Sequence, residues 1–448
     1  VRRSGYGEVL PRYEAVIFDE AHHIEEVATT FFGFSFTRYQ VLDLVADVER
    51  SALSELVGDK KKQKAVLAAA RPVDGYLEHF FSLFPSEKGR FPFNGLLEKQ
   101  VGLSSSRDVL FSGLERLADE LAGMTSLEEP WGQYEARALD LAARLQAITA
   151  ERYSDVPDEE VHSVHWYERR EKNLVLSSTP IDVADDLRET LYSMVQSTVF
   201  TSATLSAHGD FSYFMQRLGL SEHTETISFP SPFDYANRSI LYVPDKQFPE
   251  PNAPGYGDEL HGQIETLVKI SRGRALVLFT SIQAMDKAYS ALQDRLEFPL
   301  LVQGEASRHE LLTKFASQHE SILFAVASFW EGVDIPGESL SLVIIDKLPF
   351  EVPTDPVIMA RINRVRVAGG NPFFDFQVPR AILSLRQGAG RLMRSTSDRG
   401  VIAVLDVRLF TKGYGRHFIK SLPPSPLFRD IKQVQTFFAK ERKQHDPG

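Results

Sequence analysis

"RALVLFTSIQAMDKAYSALQDRL" occupies Arg274 to Leu296 and places a short apolar run directly before a segment of helical length. The same order recurs through the second half of the chain, where runs rich in Val, Ile and Leu alternate with helical-length segments. The other runs are SILYVP, FPLLVQG, ESILFAV, LSLVIID and GVIAVLD. Apolar strands that alternate with helices are typical of a parallel sheet covered on both faces. The chain after about His223 is therefore predicted to form one α/β domain.

Length and composition set the class of protein. A chain of 448 residues is too long for one hydrophobic core, so we expect two or three domains. A hydrophobic fraction of 43% with 25% charged residues is typical of a soluble globular protein. No apolar run approaches the ~18 residues needed to cross a bilayer, and the first residues lack the apolar core of a signal peptide. We expect a cytoplasmic protein with no membrane partner.

Two further counts restrict the chemistry. The chain contains no cysteine, which excludes disulfides, thiolate zinc sites and iron–sulfur clusters built from this polypeptide alone. Its formal net charge is −11, so the molecule as a whole repels a nucleic-acid backbone at long range. Any nucleic-acid site must therefore be a local basic groove.

The first half of the chain contains a helical region between strand-like runs. From about Thr37 to Ile148 apolar residues recur at three- and four-residue spacing, which predicts amphipathic helices. Strand-like runs lie on both sides, as VIF before Asp19, NLVLSSTP and QSTVFTSATL. We therefore expect residues 1–30 and 166–222 to form a first, incomplete α/β domain. Residues 31–165 would be a helical insertion and residues 223–448 a second α/β domain.

Two acids follow the first of these runs. Asp19 and Glu20 lie in EAVIFDEAHHIEE, just past the carboxyl end of a predicted strand, where open α/β sheets place their ligands. One carboxylate there can hold Mg²⁺ through water, and its neighbour can orient or deprotonate the attacking water in phosphoryl transfer. The alternative is an ordinary polar strand end.

Three later clusters have the same character. Thr201, Ser202 and Thr204 end a second run and can relay hydrogen bonds, or simply cap a helix. A third run is followed by Glu331, Gly332 and Asp334. These residues form either a turn that binds a ligand or a tight turn with no such role. In RQGAGRLMR the spacings of Gln387, Arg391 and Arg394 would place them on one face of a helix, either as arginine fingers or as a solvated basic face.

The order of these clusters carries the resemblance. Asp-Glu-Ala-His, Ser-Ala-Thr, Glu-Gly-Val-Asp and Gln-x-x-Gly-Arg-x-x-Arg follow one another as motifs II, III, V and VI do in superfamily-two helicases. With FDEAHHIEE, LVLFTSIQAM and SFWEGVDIPGESLSLVIIDKLPFEVPTDPV, the chain resembles the XPD/DinG family of ATP-dependent DNA helicases, in its bacterial DinG/YoaA-like branch. The resemblance implies two RecA-like parallel-sheet motor domains, an Arch-type insertion in the first, and 5′-to-3′ movement on single-stranded or forked DNA in repair or replication.

The resemblance also implies a role for each site residue. Asp19 would bind Mg²⁺ through water, and Glu20 would be the catalytic base. His22, Thr201, Ser202 and Thr204 would couple hydrolysis to domain movement. ATP would be bound by Asp19 and by Glu331, Gly332, Asp334, Gln387, Arg391 and Arg394, with the last three reaching the γ-phosphate.

One expected element is absent from the sequence. Phosphate binding in such motors needs a glycine-rich loop ending in Lys-Ser/Thr, and none of the Gly-Lys or Lys-Gly pairs has that spacing. The family also carries a four-cysteine iron–sulfur region before Asp-Glu-Ala-His. We therefore expect an N-terminally truncated helicase, with both elements in the longer protein. The alternative is that this branch of the family has discarded them. The 448 residues alone are expected neither to bind ATP tightly nor to unwind DNA.

An excess of arginine suggests where DNA is bound. The segment from Arg361 to Arg394 is rich in arginine and contains three phenylalanines, a composition that suits a groove with stacking side chains. Arg361, Arg364, Arg380 and Trp166 are the candidates, unless the arginines only pair with acids elsewhere. A non-catalytic nucleic-acid-binding or regulatory module, or an RNA-directed Asp-Glu-Ala-His helicase, remains an alternative for the whole chain.

Overall fold

The computed structural model describes residues 13–124, 130–150, 161–171, 173–206, 209–326, 329 and 339–445. The chain divides into two compact units, which are described separately. Unit 1 comprises Val1–Thr201, Gln216–Leu220 and Val352–Pro372, and unit 2 comprises Ser202–Met215, Ser221–Glu351 and Phe373–Gly448. Within the described residues, no helix is both long and apolar enough to cross a membrane.

The strands of the described residues are numbered in chain order. They are β1 (Ala15–Phe18), β2 (Phe34–Thr37), β3 (Gly89–Pro92), β4 (Ser163–Arg169), β5 (Leu174–Pro180), β6 (Ser197–Phe200), β7 (Ser239–Tyr242), β8 (Ala275–Phe279), β9 (Leu300–Val302), β10 (Ile322–Val326), β11 (Leu342–Ile345), β12 (Gly400–Val404) and β13 (Leu427–Phe428).

The α-helices are numbered in the same way. They are α1 (Ile24–Phe32), α2 (Arg38–Glu55), α3 (Lys60–Ser82), α4 (Leu96–Lys99), α5 (Leu103–Ala122), α6 (Trp131–Thr149), α7 (Ala184–Leu187), α8 (Ser212–Arg217), α9 (Tyr235–Arg238), α10 (Tyr256–Ser271), α11 (Ile282–Leu292), α12 (Arg308–Ser317), α13 (Pro356–Val367), α14 (Val378–Ala389), α15 (Arg408–Thr411), α16 (Gly415–Ser421) and α17 (Ile431–His445). A 3-10 turn covers Ala21–His23, and π-helical turns cover Arg188–Tyr192 and Phe373–Gln377.

Unit 2 is built on a seven-stranded sheet in the order β13-β7-β12-β11-β8-β10-β9, with every pair parallel. Successive residues of one strand enter different hydrophobic clusters: Leu276 and Leu278 pack in one, and Val277 and Phe279 in the other. Because side chains alternate between the faces of a strand, this division shows that both faces are covered. The parallel α/β sheet predicted after His223 is confirmed.

The described residues of unit 1 form two separate sheets. β1 and β6 form a parallel pair in which Phe18 lies opposite Phe200. β2, β5, β4 and β3 form a four-stranded antiparallel sheet in that order. The helices α2, α3, α5 and α6 share one hydrophobic core with this second sheet, since Phe36, Tyr167 and Leu176 belong to the same cluster as the apolar side chains of the helices.

The helices of the predicted insertion are confirmed, and their ends have local causes. Thr37 precedes α2 and forms a capping box with Gln40, in which each side chain bonds the other residue's backbone N–H. Asp59 caps α3 through a hydrogen bond of 3.1 Å from the Lys62 N–H to its carboxylate.

The units differ from the expected domain boundaries in three places, one of which is Ser202–Met215, expected in the first α/β domain but part of unit 2. NLVLSSTP was expected in the first α/β domain, but it forms β5, which pairs with β4 and β2 in the antiparallel sheet of the insertion. The short connection from Arg169 to Leu174 favours this antiparallel pairing. In addition, Val352–Pro372 belongs to unit 1, although it lies within the region expected to form the second domain.

Candidate functional site

The first predicted motif lies at the carboxyl end of the β1–β6 pair. Asp19 follows β1, and Thr201 follows β6. The Thr201 hydroxyl donates a hydrogen bond of 3.2 Å to Asp19 Oδ1, and the Ala21 N–H donates one of 3.0 Å to the Thr201 carbonyl. The Asp-Glu-Ala-His and Thr-Ser-Ala-Thr segments are therefore hydrogen-bonded to each other at one strand edge.

Glu20 has an unusual backbone conformation. Its φ of 48° and ψ of 44° lie in the left-handed region, which costs a residue with a side chain about 1 kcal/mol. This turn directs the Ala21 N–H back to β6. The Glu20 carboxylate is exposed and lies 3.4 Å from Nδ1 of His22, whose side chain is 11% exposed. Glu20 and His22, predicted as base and coupling residue, are thus in contact.

The Thr-Ser-Ala-Thr segment contains one of the points at which the chain passes from unit 1 to unit 2, since one division falls between Thr201 and Ser202. Ser202 Oγ lies 3.4 Å from Thr204 Oγ1 and accepts a hydrogen bond of 3.2 Å from the Thr204 N–H. Thr204 is buried. The predicted coupling residues therefore belong to both units.

Gln387, Arg391 and Arg394 do not share a helix face, so that expectation was wrong. Helix α14 ends at Ala389, and the N–H groups of Arg391 and Leu392 bond three residues back, to Gly388 and Ala389. The tightened turn brings Leu392 into the core, at 1% exposure. Only Gln387 lies on the helix.

Arg394 lies in a loop organised by Asp398. The Asp398 carboxylate accepts hydrogen bonds from the N–H groups of Arg394 at 2.6 Å and of Ser395 at 2.8 Å, and from the Ser395 hydroxyl at 2.6 Å. Asp398 is buried, whereas Arg394 is exposed. The loop therefore fixes the backbone beneath an exposed guanidinium group. Glu331, Gly332 and Asp334, which were also predicted to bind ATP, lie outside the described residues.

The four predicted DNA contacts have different surroundings. The Trp166 indole N–H donates to Thr179 Oγ1 at 2.8 Å, and the Arg90 guanidinium lies 4.9 Å from the centre of the ring. Arg380 forms a two-pronged ion pair with Glu351 at 2.9 and 2.6 Å. Arg364 is half-buried on α13.

Arg361 is buried in an ion-pair cluster of unit 1. Its side chain is 6% exposed and lies 3.0 Å from Glu25 Oε1, which also accepts 2.8 and 3.1 Å bonds from Arg217. Arg361 also donates to the Ile181 carbonyl and to the Thr29 hydroxyl. A guanidinium held in this way does not offer a DNA contact, so we do not keep Arg361 among the candidates.

Two further polar groups were missed from the sequence. Arg386 donates hydrogen bonds to the carbonyls of Ala203, at 3.0 Å, and of Ser206. Asp346, at the carboxyl end of β11, accepts bonds from the N–H and hydroxyl of Thr280 and is 1% exposed; burial raises its pKa to about 7. The sequence signal for Arg386 was its position directly before the Gln-x-x-Gly-Arg motif. The signal for Asp346 was an acid directly after the strand LVII.

The surroundings of Asp19 suit a metal held through water. Among the described residues, both hydrogen bonds to this carboxylate, from Glu20 N–H and Thr201, use Oδ1, which leaves Oδ2 for a metal-bound water. No group of three metal-binding side chains occurs in the part of the chain that the structure describes, so a directly coordinated metal has no cluster of ligands there.

Comparison with known proteins decides the family. A model of the helicase C-terminal domain matches residues 264–425. The ATP-dependent DNA helicase YoaA of Escherichia coli (strain K12) is 36% identical over 448 residues, covering 98% of this chain and 67% of YoaA. The chain belongs to the XPD/DinG helicase family.

Other relatives agree with this assignment. The YoaA helicase of Haemophilus influenzae (strain ATCC 51907 / DSM 11121 / KW20 / Rd) is 35% identical over 438 residues, covering 98% of this chain and 66% of the relative. This member of the XPD/DinG family thus spans about two thirds of the length of these two proteins. The structure of S. tokodaii Xpd4 superposes with a TM-score of 0.54 at 15% identity, covering 95% of this chain and 78% of Xpd4. The fold is accordingly that of an XPD helicase, and the two YoaA relatives are named ATP-dependent DNA helicases.

Proposed function

We propose that the full-length protein containing this chain hydrolyses ATP to move 5′ to 3′ on single-stranded DNA and to open forked DNA. The observation that carries this proposal is the hydrogen bond between Thr201 and Asp19, which joins two predicted motifs at one strand edge. Family membership supports the use of ATP and of DNA. The direction of movement rests on the resemblance of the motifs.

The acids after β1 carry the proposed hydrolysis. When bound, Mg²⁺ and ATP supply a polarised γ-phosphate whose negative charge develops during transfer. Asp19 would hold the metal through water, while Thr201 fixes its Oδ1. Glu20 accepts a proton from the attacking water, and its contact with His22 at 3.4 Å orients the carboxylate. The segment that enters unit 2 couples hydrolysis at this site to domain movement. The residues proposed for this role are Thr201, Ser202 and Thr204.

Unit 2 supplies the proposed cationic groups. Arg391 and Arg394 bind the γ-phosphate, and Gln387 offers a neutral donor. The exposed side chain of Arg394 and the fixed backbone beneath it support this role. Glu331, Gly332 and Asp334 are proposed to bind the nucleotide on the strength of their motif.

The DNA surface of unit 1 is proposed to include Trp166 and Arg364. Their elements pack against each other, because α13 lies on β4. An indole ring offers a stacking face for a base and a guanidinium group a partner for a phosphate. Arg380 is not kept with them, because Glu351 neutralises its charge.

The 448 residues alone are proposed to lack turnover. Within the described residues the sheet that carries Asp19 consists of the β1–β6 pair, with Ile17 71% and Val199 47% exposed, although parallel sheets are normally covered on both faces. A two-stranded sheet is at best marginally stable in water without further strands or helices packed on it. An iron–sulfur cluster in the full-length protein is supported by the family resemblance, while this sequence has no cysteine to bind one.

Tailed duplexes test the proposal. The full-length protein is mixed with ATP and duplexes that carry either a 5′ or a 3′ single-stranded tail, made of DNA or of RNA. We expect strand separation of the 5′-tailed DNA substrate and no separation in a Glu20→Gln variant. Separation only from 3′ tails would refute the direction, and a requirement for RNA tails would favour an RNA-directed helicase. DNA binding without any separation would favour a non-catalytic module.

A further inference from the structure

The segment Thr201–Thr204 is held at both ends by hydrogen bonds, one end in each unit. In unit 1, Thr201 bonds to Asp19 through its hydroxyl and to Ala21 through its carbonyl. In unit 2, the carbonyl of Ala203 accepts a bond from Arg386. The bond from Thr201 to Ser202 is one of the points at which the chain passes between the units. One residue, Ser202, therefore lies between the residue bonded to the acidic motif and the residue bonded to α14.

Arg386 is well suited to be the second anchor. Its guanidinium donates to two carbonyls of one segment, those of Ala203 at 3.0 Å and of Ser206. Charge-assisted bonds of this kind are about twice as strong as bonds between neutral groups. Burial lowers the pKa of Arg386, although an arginine guanidinium group remains protonated in proteins.

The position of Arg386 on α14 connects this anchor to the proposed phosphate-binding groups. Arg386 directly precedes Gln387, and its own carbonyl accepts the N–H of Gly390 at 2.8 Å, where the helix ends. The turn that follows carries Arg391. A displacement of residues 203–206 would therefore act on the last turn of α14 through a single side chain.

We propose that Arg386 is a positioning residue that couples the Thr-Ser-Ala-Thr segment to the end of α14, so that Gln387 and Arg391 take their places only when residues 203–206 are seated. The predicted effect of Arg386 on catalysis rests on the proposed function, because it requires that the protein hydrolyses ATP. The hydrogen bonds of Arg386 to residues 203–206 can be tested without assuming the proposed function.

A matched set of variants tests the proposal in the full-length protein. Arg386→Met removes both bonds and keeps much of the apolar stem, and Arg386→Lys restores one donor. Arg429→Met is the control, because Arg429 also donates to a backbone carbonyl of unit 2, that of Pro244 at 2.8 and 3.2 Å. The measurements are kcat and KM for ATP with single-stranded DNA, and the number of ATP molecules consumed per base pair opened.

The expected pattern separates positioning from general damage. Arg386→Met should lower kcat by about tenfold, with KM changed by less than about threefold, and should raise the ATP consumed per base pair. Arg386→Lys should recover part of kcat, and Arg429→Met should leave kcat and the ATP per base pair within about twofold of the natural protein. Equal losses in Arg386→Met and Arg429→Met, or an unchanged kcat in Arg386→Met, would overturn the proposal.

Amide hydrogen exchange on the 448-residue chain provides a second measurement that needs no catalysis. Arg386→Met should accelerate exchange over residues 201–206, and Arg429→Met should leave it unchanged. Unchanged exchange in Arg386→Met would overturn the proposed anchor. If the natural full-length protein shows no ATP hydrolysis while the exchange result holds, the proposed function fails and the anchor stands.

Discussion

Replacing Glu25 by glutamine is expected to destabilise unit 1 strongly, because this carboxylate lies between two buried arginines. Glu25, Arg217 and Arg361 have side-chain exposures of only 11, 12 and 6%. The amide of glutamine keeps the shape but removes the negative charge, which leaves two guanidinium groups facing each other out of water. Breaking a buried ion pair costs about 3–5 kcal/mol, and the low exposure means that solvent screening reduces this little.

The loss of unfolding free energy in Glu25→Gln can be compared with the losses in two other variants. Arg361→Met should cost less than Glu25→Gln, because Arg217 still neutralises the carboxylate at 2.8 and 3.1 Å. Glu26→Gln, at the exposed neighbouring position, should change the free energy of unfolding by less than about 0.5 kcal/mol.

Calorimetry or urea unfolding of the 448-residue chain would measure these differences. For a unit of this size, about 3–5 kcal/mol corresponds to a fall in Tm of about 6–20 °C. The unfolding transition that shifts should be that of unit 1. Amide exchange in α1 and α13 would identify this transition. A loss below about 1 kcal/mol for Glu25→Gln, or one equal to that of Glu26→Gln, would refute the reasoning.

Three further predictions concern stability. Asp346→Asn should stabilise the protein relative to the natural chain increasingly as pH rises from about 4 to about 7 and level off above it, because the pKa of Asp346 is raised to about 7 in the folded state and its ionisation opposes folding; a pH-independent difference in urea unfolding would contradict this. Gly273→Ala should destabilise by more than about 2 kcal/mol, since φ is +69° and the added Cβ would lie 1.9 Å from the Glu320 carbonyl oxygen; Gly255→Ala, at φ +80° with open space around it, should cost about 1 kcal/mol, and equal losses would contradict the steric argument. Thr37→Ala should cost about 1 kcal/mol through loss of the capping box, and an unchanged free energy of unfolding would show that the cap does not stabilise α2.

The sheet of unit 2 could be predicted from the sequence because its strands are continuous apolar runs. Both faces of β8, β11 and β12 are buried, so nearly every residue in them must be apolar, and the runs stand out from the helical segments between them. The motifs that end such runs were found for the same reason. Their residue types follow directly from the chemistry expected at a strand edge.

The antiparallel sheet of unit 1 could not be predicted, because the local sequence does not specify a strand's partner. β5 reads LVLSSTP, which suits a parallel or an antiparallel neighbour equally, and its other partner, β2, lies far earlier in the chain. The end of α14 was missed because Arg391 and Arg394 fit a helical spacing that the turn after Ala389 interrupts.

The roles of Arg361 and Arg386 depend on partners far away in sequence. Arg361 meets Glu25 across more than three hundred residues, and Arg386 meets Ala203 across 183. An excess of arginine in the sequence predicts a basic surface, yet part of that charge is neutralised inside the fold. Composition alone does not distinguish an arginine on a basic surface from an arginine that is neutralised inside the fold.

The hydrolysis of ATP by the full-length protein, with and without single-stranded DNA, tests the central claim most directly. The natural protein should show DNA-stimulated turnover, which Glu20→Gln should lower by about a hundredfold or more, because the general base is lost. Glu26→Gln, six residues further along and exposed, should keep that turnover. Equal activity in the Glu20→Gln and natural proteins would contradict the assignment of the acids after β1 as the catalytic site.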